Sequence, residues 1–387
     1  MNWNWQQSDW PRFTWDPVRL VKAEEQFLLA AGVFQGTVGH LGAEVQNRLK
    51  VDAMSSEAIT TSEIEGEILD RDSVQSSIRK QLGLSTDGRR IRPAEQGIAE
   101  MTVDLYSSAI DSLDEARLFA WHAMLMNGRR DLHDIGRYRT HPEPMQVVSG
   151  KLHAPNIHFE APASARVPDE MAMFMDWFNA TAPQGAVPLS ALTRAGTAHL
   201  YFESIHPFED GNGRIGRAIA EKALAQSLGR PTLTALAATI LARRRSYYDA
   251  LEASNKHNEI TNWLAWFAGI ALEAQQRTQA QVEFLIDKTR LLDRLRGELN
   301  NRQEKALLRV MEEGPEGFKG GLSAGNYVSI TGISRATATR DLADLVAKEA
   351  LTRTGEKRSA RYRLTIPLRP VPQVTIDTDG EVIVADE

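Results

Sequence analysis

Apolar positions along the chain fall mostly at mixed three- and four-residue spacing, the pattern of helices that bury one face. From about Val18 to Leu84 it runs with few breakers, and Ala58–Gly66 is predicted to be one continuous helix. A loop with Ser85, Thr86, Gly88 and Pro93 follows, then helices over Ala94–Ser112 and Glu115–Leu125. Between Gly136 and Pro168 the character changes. Pro142, Pro144, Pro155, Pro162 and Pro168 forbid a long helix, and Met145–Gly150 reads as a short strand and turn. Helical spacing returns at Asp169–Asn179, at Leu189–Glu203, from within Asp210–Arg217 to Gly229, and over Thr234–Ser254. A further helix from Thr261 merges into a long polar one ending near Leu299. The last part differs again: helices over Gln303–Glu312, Ser323–Tyr327 and Ser334–Lys348 precede two short strands joined at Gly355. Three helices and a hairpin of that size make a winged helix-turn-helix.

Composition narrows the field. The 387 residues exceed one ordinary core, so two or three domains are expected. An apolar share of 42% with 25% charged residues is that of a globular protein. The net charge of −6 argues against capture of the whole chain by nucleic acid or anionic lipid, although a local basic patch stays compatible with it. With no cysteine, disulfides, thiolate metal sites and a cysteine nucleophile are excluded, and a reducing cytoplasm is the expected compartment. The N-terminus lacks the basic start and apolar core of a secretory signal, and no apolar run reaches membrane-spanning length. Trp3, Trp5, Trp10, Phe13 and Trp15 open the chain, and so much aromatic area reads as a cap packed on the next domain.

Chemistry concentrates between His206 and Arg217, in the segment His-Pro-Phe-Glu-Asp-Gly-Asn-Gly-Arg-Ile-Gly-Arg. A glycine-rich turn opening a helix frees backbone amides to form an anion cradle. Asn212 adds a side-chain donor. Arg214 and Arg217, three apart, share a helix face and can fork onto phosphate oxygens. Asp210 is a hard oxygen ligand where a phosphate-bound Mg²⁺ wants one. His206 supplies a base within reach. Taken singly, each feature is more often structural; together within twelve positions they point to phosphate chemistry.

This segment resembles the Fic family signature H-x-F-x-[D/E]-G-N-G-R-x-x-R and matches it at every fixed position. The resemblance extends over about Leu113 to Ala271. It implies an all-helical Fic core with a short β-hairpin flap, so the fold expected is mainly α with a C-terminal winged helix-turn-helix. It implies His206 as general base, Phe208 as its packing anchor and Asp210 as the Mg²⁺ ligand. Gly211, Asn212 and Gly213 become the anion hole, Arg214, Gly216 and Arg217 part of the ATP site, and Met145–Lys151 the flap, with Val147, Val148, Ser149 and Gly150 over the nucleotide. Tyr247 and Asn255 stand at the family's adenine-side spacing. Thr61-Ser-Glu-Ile-Glu65-Gly66 resembles the family's inhibitory signature, [S/T]-x-x-x-E-[G/N], in the class that inhibits itself in cis. There Glu65 would pair with Arg217 and stand where the γ-phosphate belongs, whereas Glu63 and Glu67 would project from other faces of the same helix.

The expected organisation is a helical N-terminal region with the aromatic cap and inhibitory helix (1–95), the Fic core (96–271), a connecting helix (272–300), the winged helix (301–368) and a tail (369–387). The implied reaction is AMP transfer from ATP, with Mg²⁺, to a Ser, Thr or Tyr hydroxyl of a target protein. Alternatives are another Fic-type transfer, AMP removal, or a DNA-binding regulator that senses nucleotide with its Fic core. Arg335, Thr337, Thr339 and Arg340, with Lys357, Arg358 and Arg361 on the wing, suit phosphate and groove contacts, but Asp341, Asp344 and Glu349 dilute that charge. DNA or a protein can therefore be the winged helix's partner, and a homodimer is compatible with the sequence. His153 and His158, near Glu160, are read as loop histidines and not as metal ligands.

Overall fold

The computed structural model describes residues 3–151, 154–232, 234–315, 317–318 and 320–385, so His153 lies outside the described residues. The side chains of Lys151, Ala154 and Arg358 are likewise outside. The chain forms two compact units, residues 1–275 with 372–387, and residues 276–371.

In the first unit α1 (Val21–Gly39), α2 (Ala43–Ile64), α3 (Arg71–Gln81), α4 (Pro93–Ser107) and α5 (Glu115–Leu125) lead into a hairpin, β1 (Gln146–Lys151) and β2 (Ala154–Glu160). Then come α6 (Val167–Ala180), α7 (Ala191–Ile205), α8 (Asn212–Leu228), α9 (Leu236–Ala242) and α10 (Arg244–Ser254). α11 (Thr261–Arg294) begins here and continues into the second unit. The core is built around α7 and α8, which are buried on nearly every side, with polar residues such as Arg194, Arg217, Glu221 and Lys222 included; Ala195, Phe202, Ile205, Ile215, Ile219 and Ala223 are fully buried. A helix buried all round must be wrapped by others, and its neighbours supply amphipathic faces.

Three sequence expectations change. α2 stops at Ile64, two residues short of Gly66, for a reason developed below. The helix expected over Thr234–Ser254 breaks at Arg243 into α9 and α10. The tail does not stand apart: β5 (Val374–Ile376) and β6 (Val382–Val384) pair as a hairpin whose Val374 packs over Gly269 of α11. The aromatic cap behaves as expected. Trp3 meets Phe159 edge-on at 5.4 Å, Trp5 Nε1 donates to the Glu160 carbonyl at 2.7 Å, and Trp10 and Phe13 pack on Tyr201.

In the second unit α12 (Asn301–Met311), α13 (Ala324–Thr331) and α14 (Arg335–Ala347) precede the antiparallel strands β3 (Leu351–Thr354) and β4 (Arg361–Leu364). Leu307, Val310, Leu322, Tyr327, Leu342, Leu345 and Leu351 fill its own core. This is the winged helix-turn-helix order.

Among the described residues no helix is long and apolar enough to cross a membrane.

Candidate active site

The twelve-residue segment forms the connection from α7 to α8. His206 ends α7 in the left-handed region, at φ 50°, which turns its side chain off the helix axis into a cleft of about 670 Å³. Gly211, at φ 83°, caps α8; a side chain there would strike Leu125 and Met126. The amides of Asn212, Gly213 and Arg214 follow as the first turn of α8, where a helix has no carbonyl partners to offer. The turn is fixed from inside. Asn212 Oδ1 accepts from the Phe208 amide at 2.9 Å and its Nδ2 donates to the Phe208 carbonyl at 2.8 Å. Asn212 therefore shapes the loop and does not present its side chain as a donor, which corrects the sequence expectation. Phe208 is fully buried and stacks on His122 with ring centroids 4.2 Å apart.

A second brace was not legible in the motif. The buried Arg139 donates to the carbonyls of His206 (2.8 Å) and Pro162 (2.5 Å) and to Ser164 Oγ (2.8 Å), tying the His206 turn to the segment that follows the hairpin. Burial, together with the charge of Arg139, pushes the His206 pKa down to about 4. Its imidazole is thus neutral at pH 7 and free to accept a proton.

Asp210 lines the cleft beside this turn, but its carboxylate is engaged: Arg129 Nη1 reaches Oδ2 at 2.6 Å, and Arg214 Nη2 stands 3.5 Å from Oδ1. Burial works against its charge, yet these cations and the Gly211 amide hold its pKa below the ordinary carboxylate value. Sequence reasoning missed Arg129, which no motif marks. Glu209 is spent on the amides of His133 and Asp134, both at 2.8 Å, so Asp210 is the carboxylate the turn can offer.

Gly216 is not among the residues that line the cleft. A side chain there would lie 2.3 Å from Glu203 Oε1, so the glycine permits close packing of α8 on α7. The buried Glu203 at this seam has its pKa raised to about 8 by desolvation. Val147, Val148 and Ser149 line the cleft, whereas Gly150 (φ 89°) lies at the end of the strand and does not. In the hairpin Val147 pairs Phe159 but Val148 pairs Ile157, leaving His158 as a bulge residue. His158 is therefore strand and not loop; its Nε2 meets Ser149 Oγ at 2.6 Å and its Nδ1 meets Glu252 at 2.7 Å. Tyr247 and Asn255 do reach the same cleft. The Tyr247 hydroxyl pairs with His199 at 2.9 Å, and the buried Asn255 Oδ1 has no protein partner.

The end of α2 enters this site. α2 stops because Gly66 adopts φ 84°: the Gly66 amide donates to the Glu63 carbonyl (3.0 Å) and the Glu67 amide to the Ser62 carbonyl (3.0 Å). These are the two bonds of a Schellman stop, and they explain why a residue tolerant of the left-handed region follows Glu65. Thr61 and Glu65, one turn apart, then meet one guanidinium. Arg217 Nε donates to Thr61 Oγ1 (2.8 Å), and Nη2 to the Thr61 carbonyl (2.9 Å) and to Glu65 Oε1 (2.7 Å). Burial opposes the Arg217 charge, and the Glu65 carboxylate outweighs it, leaving the pKa raised. The same Oε1 lies only 2.3 Å from where a Gly213 Cβ would be, so the carboxylate rests on the first turn of α8. An anion already sits at the helix N-terminus.

Glu67 overturns its expected role. After the reversal at Gly66 it no longer belongs to the helix, and its Oε2 ion-pairs with Arg214 Nη1 at 2.6 Å. One short segment thus supplies a carboxylate to each arginine of the motif. Replacing Glu67 with Gln is expected to raise the AMP transfer that the resemblance implies about two- to fivefold, the scale of a half-exposed ion pair. Rates with labelled ATP, taken at equal concentration of the two proteins, check it; a rate at or below the parent's would mean Glu67 does not restrain Arg214.

Comparison with known proteins finds a family match over the segment that holds this turn. Residues 112–224 match the Fic/DOC family model. They form a Fic/DOC-family domain. Residues 3–84 match a domain of unknown function (DUF4172), and residues 319–365 match the transcriptional regulator DIP2311-like C-terminal domain. A curated relative, protein adenylyltransferase fic-1 of Caenorhabditis briggsae, is 28% identical over 128 residues, which are 33% of this chain and 22% of that protein. Among solved structures, a Fic family protein from Desulfovibrio desulfuricans G20 shares the fold at a TM-score of 0.54 and 23% identity, covering 92% of this chain and 98% of its own. Fic-1 (aa134–508) from C. elegans is 21% identical, with a TM-score of 0.48 over 67% of this chain and 73% of its own.

Proposed function

We propose that this protein transfers AMP from ATP to a hydroxyl of a target protein in the cytoplasm, and that Glu65 holds the site inactive. The observation that carries this reading is the Glu65 carboxylate lying on the first turn of α8 while bonded to Arg217. A protein has little reason to place a negative side chain on a phosphate cradle except to fill it.

In the active state the helix start, through the amides of Asn212, Gly213 and Arg214, takes the polyphosphate, and Arg217 exchanges Glu65 for the γ-phosphate. Tyr247 and Asn255 wall the adenine side. The target hydroxyl attacks the α-phosphorus in line, the bond to the departing pyrophosphate breaks, and His206 accepts the hydroxyl proton. Positioning and fixed dipoles supply most of the acceleration. Mg²⁺ fits a site that offers one carboxylate, because it binds through one or two such groups with substrate phosphates and water. Asp210 would hold it, and the ion would neutralise charge on the phosphates. The exposed edge of β1 near Val147 and Val148 suits strand addition by a target segment.

The test identifies the transferred group. The Glu65→Gly protein, incubated with Mg²⁺, ATP labelled at the α-phosphate and cell lysate, is expected to leave label on protein, with an adenylyl adduct in the mass spectrum. Label from γ-phosphate, or another adduct mass, would replace AMP transfer by a different Fic-type reaction.

A further inference from the structure

The second unit carries a charge opposite to that of the whole chain. Residues 276–371 hold eighteen Lys and Arg against twelve Asp and Glu, a net +6 within a chain of net −6. In the segment from Ser334 to Leu364, eight Lys and Arg face four Asp and Glu. The sequence suggested that Asp341, Asp344 and Glu349 dilute the basic residues here. Geometry leaves Glu349 exposed but ties up the other two. Asp341 is buried, bonded to Arg302 Nε at 3.0 Å and to the Tyr327 hydroxyl at 3.1 Å. Asp344 is tied to Gln303 Nε2 at 2.7 Å and Lys348 Nζ at 2.6 Å. Both acids serve the packing of α14 on α12.

What α14 leaves outward is different. Arg335, Ala336, Thr339, Arg340 and Ala343 are exposed, and on the wing Arg353 and Arg363 are exposed as well. Among the described residues no ion pair joins Arg335, Arg340, Arg353 or Arg363 to a carboxylate. α13 and α14 are joined by Gly332 (φ 73°), Ile333 and Ser334, whose Oγ accepts from the Thr337 amide at 3.3 Å, so α14 starts abruptly and projects its first turn. No large apolar side chain is exposed on α14, β3 or β4.

We infer that the winged-helix unit binds double-stranded DNA, with α14 in the major groove and the wing arginines on the flanking backbone. Alanine and threonine on the outer face make α14 slim enough for a groove about 12 Å wide, and they offer methyl groups to thymine while Arg335 and Arg340 reach guanine or phosphate. A protein-docking face wants a large apolar or aromatic anchor at its centre, and this face has none. The acidic first unit, at net −12, opposes whole-chain attraction, so binding is confined to this surface. The inference is independent of the transfer reaction.

The test uses the full chain and a fluorescein-labelled 30-base-pair duplex of random sequence, followed by anisotropy. Binding is expected at 50 mM NaCl and should weaken about a hundredfold at 200 mM, as neutralising roughly four phosphates requires. Arg335→Ala with Arg340→Ala, and separately Arg353→Ala with Arg363→Ala, should each weaken it at least tenfold. Arg245→Ala, an exposed arginine of the first unit, should leave it unchanged. Melting curves confirm that each variant is folded, which exposed positions favour. No binding at 50 mM, wild-type affinity in both double variants, or equal loss with Arg245→Ala overturns the inference and gives the surface to a macromolecule other than duplex DNA.

Discussion

The Glu65→Gly protein is expected to transfer AMP one to three orders of magnitude faster than the parent. Glu65 must leave Arg217 before a γ-phosphate can take its place, so the pairing free energy is subtracted from productive ATP binding. The pair is asymmetric: the Arg217 side chain is 1% exposed and that of Glu65 31%. Losing a partner in such a pair costs about 2–4 kcal/mol, somewhat less than for a fully buried one, and that range sets the factor. The same substitution strands a buried cation, since Arg217 Nη1 already lacks a partner and Nη2 loses its carboxylate. Glu65→Gly should therefore melt lower than the parent without ATP and gain more than the parent when ATP is added. Initial rates and melting curves with and without MgATP measure both effects. A faster enzyme with no altered ATP response would place the restraint elsewhere, and no change in rate would reject Glu65 as the gate.

Glu63 provides the contrast. It is exposed, and its backbone carbonyl, not its carboxylate, closes the helix stop. The sequence grouped Glu63 with Glu67 as bystanders because it extended the helix through Gly66. One left-handed glycine changed that outcome: ending the helix at Ile64 redirects Glu67 onto Arg214. Helix periodicity gives the residues of a face but not the path of the chain after the face ends. The same limit explains the tail hairpin, whose strands are three residues each and carry too little pattern to be read.

Inside the twelve-residue segment the residue types were legible and their division of labour was not. His206 and the glycine turn line one cleft, and Arg217 Nη1 lies against Gly213 of that turn. Asn212, equally fixed in the family pattern, serves the loop instead, and Gly216, at a position the pattern leaves open, serves the helix seam. A fixed pattern records every residue a site cannot change, whether it touches the ligand or shapes what does. Arg129 and Arg139 act on the same site from 60 or more residues away in the chain, and nothing local distinguishes them from surface arginines. Asp341 misled for a related reason, since a charge count cannot see that its carboxylate is turned inward.

His206→Ala, made in the Glu65→Gly background so that the starting rate is high, is expected to cost a factor of about 10²–10⁴ in transfer, the range for removing a positioned general base. ATP affinity should stay near that of the Glu65→Gly protein. The phosphate-binding groups belong to α8 and Arg217, whereas the His206 imidazole stands at the end of α7, where it contacts Glu203 at 3.7 Å and no motif arginine. The pH profile gives an independent reading of the same residue. A free histidine would lose its basic form below about pH 6.5. Here burial and Arg139 lower the pKa to about 4, so the neutral base persists as pH falls and is lost only on passing through that value. The Glu65→Gly enzyme should thus keep its rate from pH 8 to pH 5.5, with no acid limb centred near 6.5. Arg139→Lys, which retains a charge but loses the fork onto the His206 and Pro162 carbonyls, should slow transfer with ATP binding intact, because the turn that aims the imidazole loosens. Calorimetry for ATP and single-turnover rates across pH separate these outcomes. If His206→Ala transfers within tenfold of its parent, the proton leaves by another route and the imidazole serves only to shape the turn.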